Sequence, residues 1–90
     1  PKSNHAGRIM ARIKPNVVFT ESISGNPMAR VEVRCASNGQ IIGRRITKSS
    51  GVQAWDDAVL RAIDRTEVLP LDERGRIESV IEIDFRPKDF

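Results

Sequence analysis

The period of the apolar positions changes along the chain, and each change marks an element. Ala6, Ile9, Met10 and Ile13 recur at i, i+3, i+4 and i+7, which predicts a short helix over residues 4–14. Ser3 or Asn4 is placed to cap it. Pro15 ends it, because the proline ring disfavours the helical conformation of the residue before it. Residues 16–27 hold an apolar anchor, Val17, Val18 and Phe19, followed by a polar loop that closes on Gly25-Asn26-Pro27. From 28 to 36 the period drops to two: Val31, Val33 and Cys35 alternate with Arg30, Glu32 and Arg34, the pattern of a half-buried strand. Ser37-Asn38-Gly39 supplies the positive φ of a hairpin turn, and a second strand follows over 40–48. Its apolar residues Ile41 and Ile46 are five apart and cannot share a face of a regular strand. Gly43 between them predicts a bulge that shifts the parity by one.

Ser49-Ser50-Gly51 opens a second helix that runs to about Thr66. Ser50 and Gln53 have the spacing of a capping box. Asp56 and Asp57 fall in the early turns, where the positive end of the helix dipole favours carboxylates. Val52, Trp55, Ala58, Val59, Ala62 and Ile63 form a broad apolar stripe, and Pro70 lies beyond the helix end. Asp72-Glu73-Arg74-Gly75 is a turn. Residues 76–86 then return to period two, with Ile77, Ile81, Ile83 and Phe85 on one parity and Glu78, Glu82 and Asp84 on the other; Pro87 ends the strand. The order α-β-β-α-β predicts an α+β domain: a three-stranded antiparallel sheet in the order 2-1-3, with the helices packed on one face. Strand three lies at an open edge.

Ninety residues make one domain, which buries roughly 60–70% of its unfolded surface. Apolar residues are 39% and charged residues 30% of the chain, the balance of a folded globular domain. The net charge of +3 permits an anionic partner without requiring one, and no basic run forms a tail. One cysteine excludes an internal disulfide and a cysteine-based metal site. No stretch is long and apolar enough to span a membrane. Beginning at Pro1, the chain reads as a piece of a longer protein, its residues 1–3 a flexible end and any anchor upstream.

Catalytic chemistry finds little support. His5 is the only histidine and reads as a solvated residue near a frayed end. Ser49 and Ser50 have no base beside them and read as helix caps. Asp56 and Asp57 point about 100° apart on a helix and do not converge. Cys35 falls on the inward parity as a small buried apolar group, and Trp55 lies on the core stripe. Arg30, Arg34, Arg44, Arg45 and Lys48 gather on the hairpin. A nucleic-acid surface would place aromatics among them, and Phe19, Trp55, Phe85 and Phe90 all lie elsewhere. Strand three is the best candidate: its free edge either is protected by the charges Glu78, Glu82 and Asp84 or receives a partner's strand.

Three stretches together carry a resemblance over nearly the whole chain. The run from Gly43 to Gly51, followed by Ala54-Trp55-Asp56-Asp57-Ala58-Val59-Leu60-Arg61-Ala62-Ile63, is similar to the strand, Ser-Ser-Gly, helix signature of the TolA and TonB C-terminal domains. The start, Ile9 to Phe19, resembles TolA homologues in particular, as does the ending Val80-Ile81-Glu82-Ile83-Asp84-Phe85-Arg86-Pro87. The resemblance implies a non-enzymatic interaction domain without cofactor or metal, in the periplasm and anchored to the inner membrane by an upstream segment. Its implied partners are TolB and Pal, with TolQ and TolR reached through the upstream region. Colicins and filamentous phage coat protein exploit such domains, which support outer-membrane integrity and constriction at division. The implied docking edge is Ile77, Glu78, Ser79, Val80, Ile81, Glu82, Ile83, Asp84 and Phe85. Some TolA domains carry a disulfide between positions that correspond to the neighbourhood of Ala29 and Asp56; here that staple is absent. A TonB-like transducer of outer-membrane transporters is the alternative, and a small nucleic-acid-binding domain a more distant one. Upstream sequence separates the first two, a Pro-rich linker marking TonB and a long Ala/Lys-rich helix TolA.

Overall fold

The period-two run of the hairpin becomes the central strand. In the computed structural model, which describes residues 5–19 and 25–89, β1 spans Ala29–Cys35 and is flanked by β2 (Ile41–Lys48) and β3 (Val80–Phe85). Both neighbours pair antiparallel with it, giving the order β2-β1-β3 that the sequence predicts. Ala29, Val31, Val33 and Cys35 point inward and are buried, as are Ile83 and Phe85 of β3. Helix α2 (Gln53–Thr66) lays Trp55, Ala58, Val59, Ala62 and Ile63 on that face, and α1 (His5–Ile13) adds Ile9 and Ile13. Full burial of each large aliphatic or aromatic side chain contributes about 1.5–3 kcal/mol. The opposite face of the sheet carries Arg30, Glu32 and Arg34 among the charged residues of β2 and β3.

The predicted bulge is present. Arg34 pairs with Gly43 and Cys35 with Ile41, so Ile42 is the extra residue and stands 67% exposed. This slip brings Ile41 and Ile46 to the same, inward face, where both pack against the core. A second shift skips Thr47, between the pairs Val31–Ile46 and Arg30–Lys48.

Local rules misplace several details. The α-helix ends at Ile13, yet Pro15 lies inside a 3-10 turn, Lys14–Asn16, that continues the first helix; Val17 N–H closes it on the Lys14 carbonyl at 3.1 Å. The expected cap at Ser3 or Asn4 lies outside the described residues, as does most of the loop after Phe19. The capping box of Ser50 and Gln53 does not form: α2 starts after Val52 with no side-chain cap, and the Gln53 amide donates to Asp57 at 2.8 Å. The two serines serve Asp56 instead. Both hydroxyls donate to its carboxylate, that of Ser50 at 2.7 Å, and the Ser50 N–H joins them at 3.1 Å. A buried carboxylate is a strong acceptor for such hydroxyl donors, and the serine oxygens remain able to accept N–H groups of the turn before the helix. Burial raises the pKa of Asp56, but the three hydrogen bonds outweigh it and hold the carboxyl below its usual range.

At the end of α2 the chain turns sharply at Glu67. Its φ of 62° and ψ of −49° form a tight turn in which Val68 N–H reaches the Thr66 carbonyl at 2.6 Å. The turn lays the next residues along the start of β2: Ile41 N–H donates to the Glu67 carbonyl and Leu69 N–H to the Gly39 carbonyl, both at 2.8 Å. Gly39 is required there, since a Cβ would stand 2.3 Å from the Leu69 carbonyl oxygen. A non-glycine residue held in this conformation stores about 1–3 kcal/mol of strain. Glu67 is exposed, so Glu67→Gly is expected to stabilise the domain by about 1 kcal/mol after the extra entropy of the unfolded glycine is deducted. A thermal melt should show Tm rising by several degrees; an unchanged or lower Tm would mean the turn is unstrained.

Candidate functional site

The ladder between β1 and β3 fixes which backbone groups are free. Cys35 N–H donates to the Ser79 carbonyl at 2.9 Å, so these two form a hydrogen-bonded pair of the antiparallel register. Alternation along that register makes Ile81, Ile83 and Phe85 the β3 residues that bond to β1. The N–H and C=O groups of Val80, Glu82 and Asp84 therefore point away from the sheet. No described strand pairs with them.

The other outer strand differs. β2 is bulged twice, and the strip at Glu67–Leu69 covers its start through the Gln40–Val68 bridge. Bulges and covering segments blunt an edge. The register of β3 runs unbroken from Phe85 to Val80, so β3 is the regular edge, and among the described residues no strand covers it.

Beside that edge lies a groove of about 340 Å³. Ile81 and Ile83 form its floor with Ile9; Ala6 and Met10 of α1 form the far wall, and His5, Glu78, Glu82 and Asp84 complete the rim. It exists because α2 packs over β1 and β2 and α1 packs beside α2, which leaves a gap over β3. The stripe of α1 is thus divided in use: Ile9 and Ile13 are buried, while Ala6 is exposed and Met10 half-buried.

His5 is not the solvated, frayed residue the sequence suggests. It is half-buried, and its Nε2 donates to the Pro70 carbonyl at 2.7 Å. The Arg8 guanidinium donates to the Leu71 carbonyl. Together they tie α1 to the segment that leads into the Asp72 turn, and so set the position of the groove wall. Asp72 caps that turn, accepting from the N–H of Arg74 at 2.8 Å and of Arg76 at 2.9 Å.

The strand itself is shorter than predicted. Ile77, Glu78 and Ser79 precede it, because β1 ends at Cys35 and Ala36 N–H turns into the hairpin to bond Gln40. Glu78 still lines the groove, Ile77 packs against the core, and the Ser79 carbonyl holds the last ladder bond. Val80, Ile81, Glu82, Ile83, Asp84 and Phe85 form the strand as expected.

The hairpin cations do not form one basic face. Arg44 opposes Val33 on the helix side and makes a two-pronged bond to Asp64, both prongs 2.9 Å. Arg30 binds Asp84 at 2.8 Å, and Arg34 and Arg45 both approach Glu32. The hydrogen bonds from Arg44 and Arg30 hold Asp64 and Asp84 below the usual carboxylate range. Among the described residues no group of three or more metal-ligating side chains is placed to hold an ion, and no helix is long and apolar enough to cross a membrane. Cys35 is buried and free, its pKa raised by burial.

Fold and edge define the class: a small α+β module whose outer strand β3 pairs on one side only among the described residues. The sequence model of the family described as TonB C terminal matches residues 2–85, and the chain belongs to that family. Among solved structures, its fold is similar to that of TolAIII bound to a peptide derived from the N-terminus of TolB. That likeness has a TM-score of 0.77 at 19% sequence identity, over 93% of this chain and 73% of the other. A comparison with curated protein sequences returns no match.

Proposed function

We propose that this domain binds other proteins of the cell envelope by accepting an extended segment as a fourth strand on β3. The carrying observation is the regular edge of β3, with the backbone groups of Val80, Glu82 and Asp84 turned away from β1 and paired with no described strand, beside an apolar groove. Main-chain bonds supply affinity in such a complex and alternate side chains supply specificity. Family membership and a TolB peptide on the similar TolAIII support TolB as partner. On this reading the domain is a non-enzymatic, periplasmic part of an inner-membrane-anchored Tol–Pal component. Pal, TolQ and TolR are its wider assembly, and colicins and phage coat proteins are its parasites. The family match equally favours a TonB-like transducer, which would offer the same edge to an outer-membrane transporter.

An NMR titration with the N-terminal peptide of TolB tests this. The amides of Val80, Glu82 and Asp84 should shift most. Val80→Pro and Glu82→Pro each remove a free-side N–H, which edge strands tolerate. Both variants should keep dispersed spectra and bind at least about tenfold more weakly, the loss expected when a bond at a docking edge is removed and its partner left unpaired. Ile81→Pro, which breaks a bond to β1, should instead damage the fold. Folded proline variants that bind the peptide like the parent would show that β3 is not the docking edge.

A further inference from the structure

The outward side chains of β3 are not equally satisfied. Asp84 faces Arg30 across the ladder and binds it at 2.8 Å. Val80 faces Arg34 and is 46% exposed. Glu82, between them, faces Glu32. Like charges directly opposite each other on neighbouring strands destabilise a sheet. Glu32 is itself engaged by Arg45 and Arg34. Among the described residues no cation lies within ion-pair distance of Glu82, and Arg30, which feels its charge, is held by Asp84 at 2.8 Å. The position on the other side of Glu82, which no described strand occupies, is the one that an added strand fills.

The two faces of that position differ in chemistry. On the outer face, the added residue beside Glu82 meets its free carboxylate, with Asp84 and Val80 on either side. On the helix face, the residues before and after it stand beside Ile81 and Ile83 and project into the groove toward Ala6, Ile9 and Met10. A strand alternates its side chains between these two faces. One register therefore satisfies both.

We propose that the strand accepted by β3 carries a lysine or arginine beside Glu82, between two aliphatic residues that enter the groove. The inference rests on the docking reading above and adds a side-chain code to it. The added cation completes the row Glu32–Glu82 with the one charge it lacks. The acidic outward row of β3 also disfavours a second copy of this domain pairing β3 to β3, since that would set carboxylates against carboxylates.

Three synthetic peptides test the code, each of the form Ser-Thr-Val-X-Val-Thr-Ser with X as Arg, Gln or Glu. Each is titrated to millimolar concentration into the whole domain at low salt, and the amides of Val80, Glu82 and Asp84 are followed. The Arg peptide should bind roughly five- to tenfold more tightly than the Glu peptide, with Gln between them. The difference should shrink at about 1 M salt, where the screening length falls to a few ångströms. Glu82→Lys places a cation opposite Glu32, should keep the fold, and should invert the order of the peptides. Replacing both valines of the Arg peptide by serine should weaken it markedly. Equal affinities for Arg and Glu peptides, or the same order in parent and Glu82→Lys, overturn the code while β3 shifts leave the docking reading intact. If no peptide moves the β3 amides, both fall together.

Discussion

Trp55→Ala is expected to cost about 3–5 kcal/mol, the range for truncating a fully buried aromatic side chain. The indole is 1% exposed, meets Phe19 edge-to-face at 5.3 Å, and donates its Nε1–H to the Phe85 carbonyl at 3.1 Å. It therefore fixes α2 to the last residue of β3 as well as filling the core. A domain of this size has a total stability of roughly 5–13 kcal/mol, so the variant should melt far earlier in urea and sit near its midpoint with little denaturant. Trp55→Phe should lose less, because it keeps most of the buried area and gives up the hydrogen bond. A loss below about 1 kcal/mol for Trp55→Ala would place the ring at the surface and make it a candidate contact for a partner.

Asp56→Ala is the second large effect, at about 2–3 kcal/mol. The residue is 5% exposed, and its carboxylate gathers two hydroxyls and one N–H from Ser49 and Ser50. Those bonds hold the crossing from β2 into α2, since the same serines also receive the N–H groups of Gly51 and Val52 at 3.1 Å. The sign of the pH dependence follows from the depressed pKa. A carboxyl whose folded pKa lies below its unfolded value of roughly 3.9 stabilises the fold above that value, and the contribution is lost as pH falls through the folded pKa. Asp64 and Asp84 are depressed in the same direction. The parent's urea midpoint should hold steady from pH 7 to about 5 and fall below about 4. Asp56→Ala should show a shallower acid decline, with Asp64, Asp72 and Asp84, all held below the usual range by hydrogen bonds, supplying what remains. An acid profile identical to the parent's would mean that Asp56 gains nothing from its serines.

The Ser-Ser-Gly signature illustrates where local reading fails. Its spacing to Gln53 satisfies a capping rule, and the rule concerns only backbone groups at a helix start. The structure offers the serine hydroxyls a buried anion to donate to, and holding them there points their oxygens at the N–H groups of Gly51 and Val52 and away from that of Gln53. His5 fails for the opposite reason: nothing within ten residues of it is informative, because its partner is the carbonyl of Pro70. Periodicity reports which way a side chain faces. It carries no information on which distant segment will lie against that face.

What the sequence determined by itself is the set of elements and the face each one buries. The alternation of Val31, Val33 and Cys35, the stripe from Trp55 to Ile63, and the parity break between Ile41 and Ile46 are all set by chain geometry within a few residues. The acidic outward row of Glu82 and Asp84 was legible for the same reason. Tertiary structure alone decided that β3 stops at Val80, since a strand extends only as far as its neighbour, and that Arg44 faces Asp64 while the other hairpin cations face outward. It alone decided the groove. Ala6 and Met10 become a wall for Ile81 and Ile83 only because α2 occupies the rest of the sheet and pushes α1 beside the open edge, an arrangement between segments some seventy residues apart. Packing of whole elements sets such distances, and no local pattern encodes them.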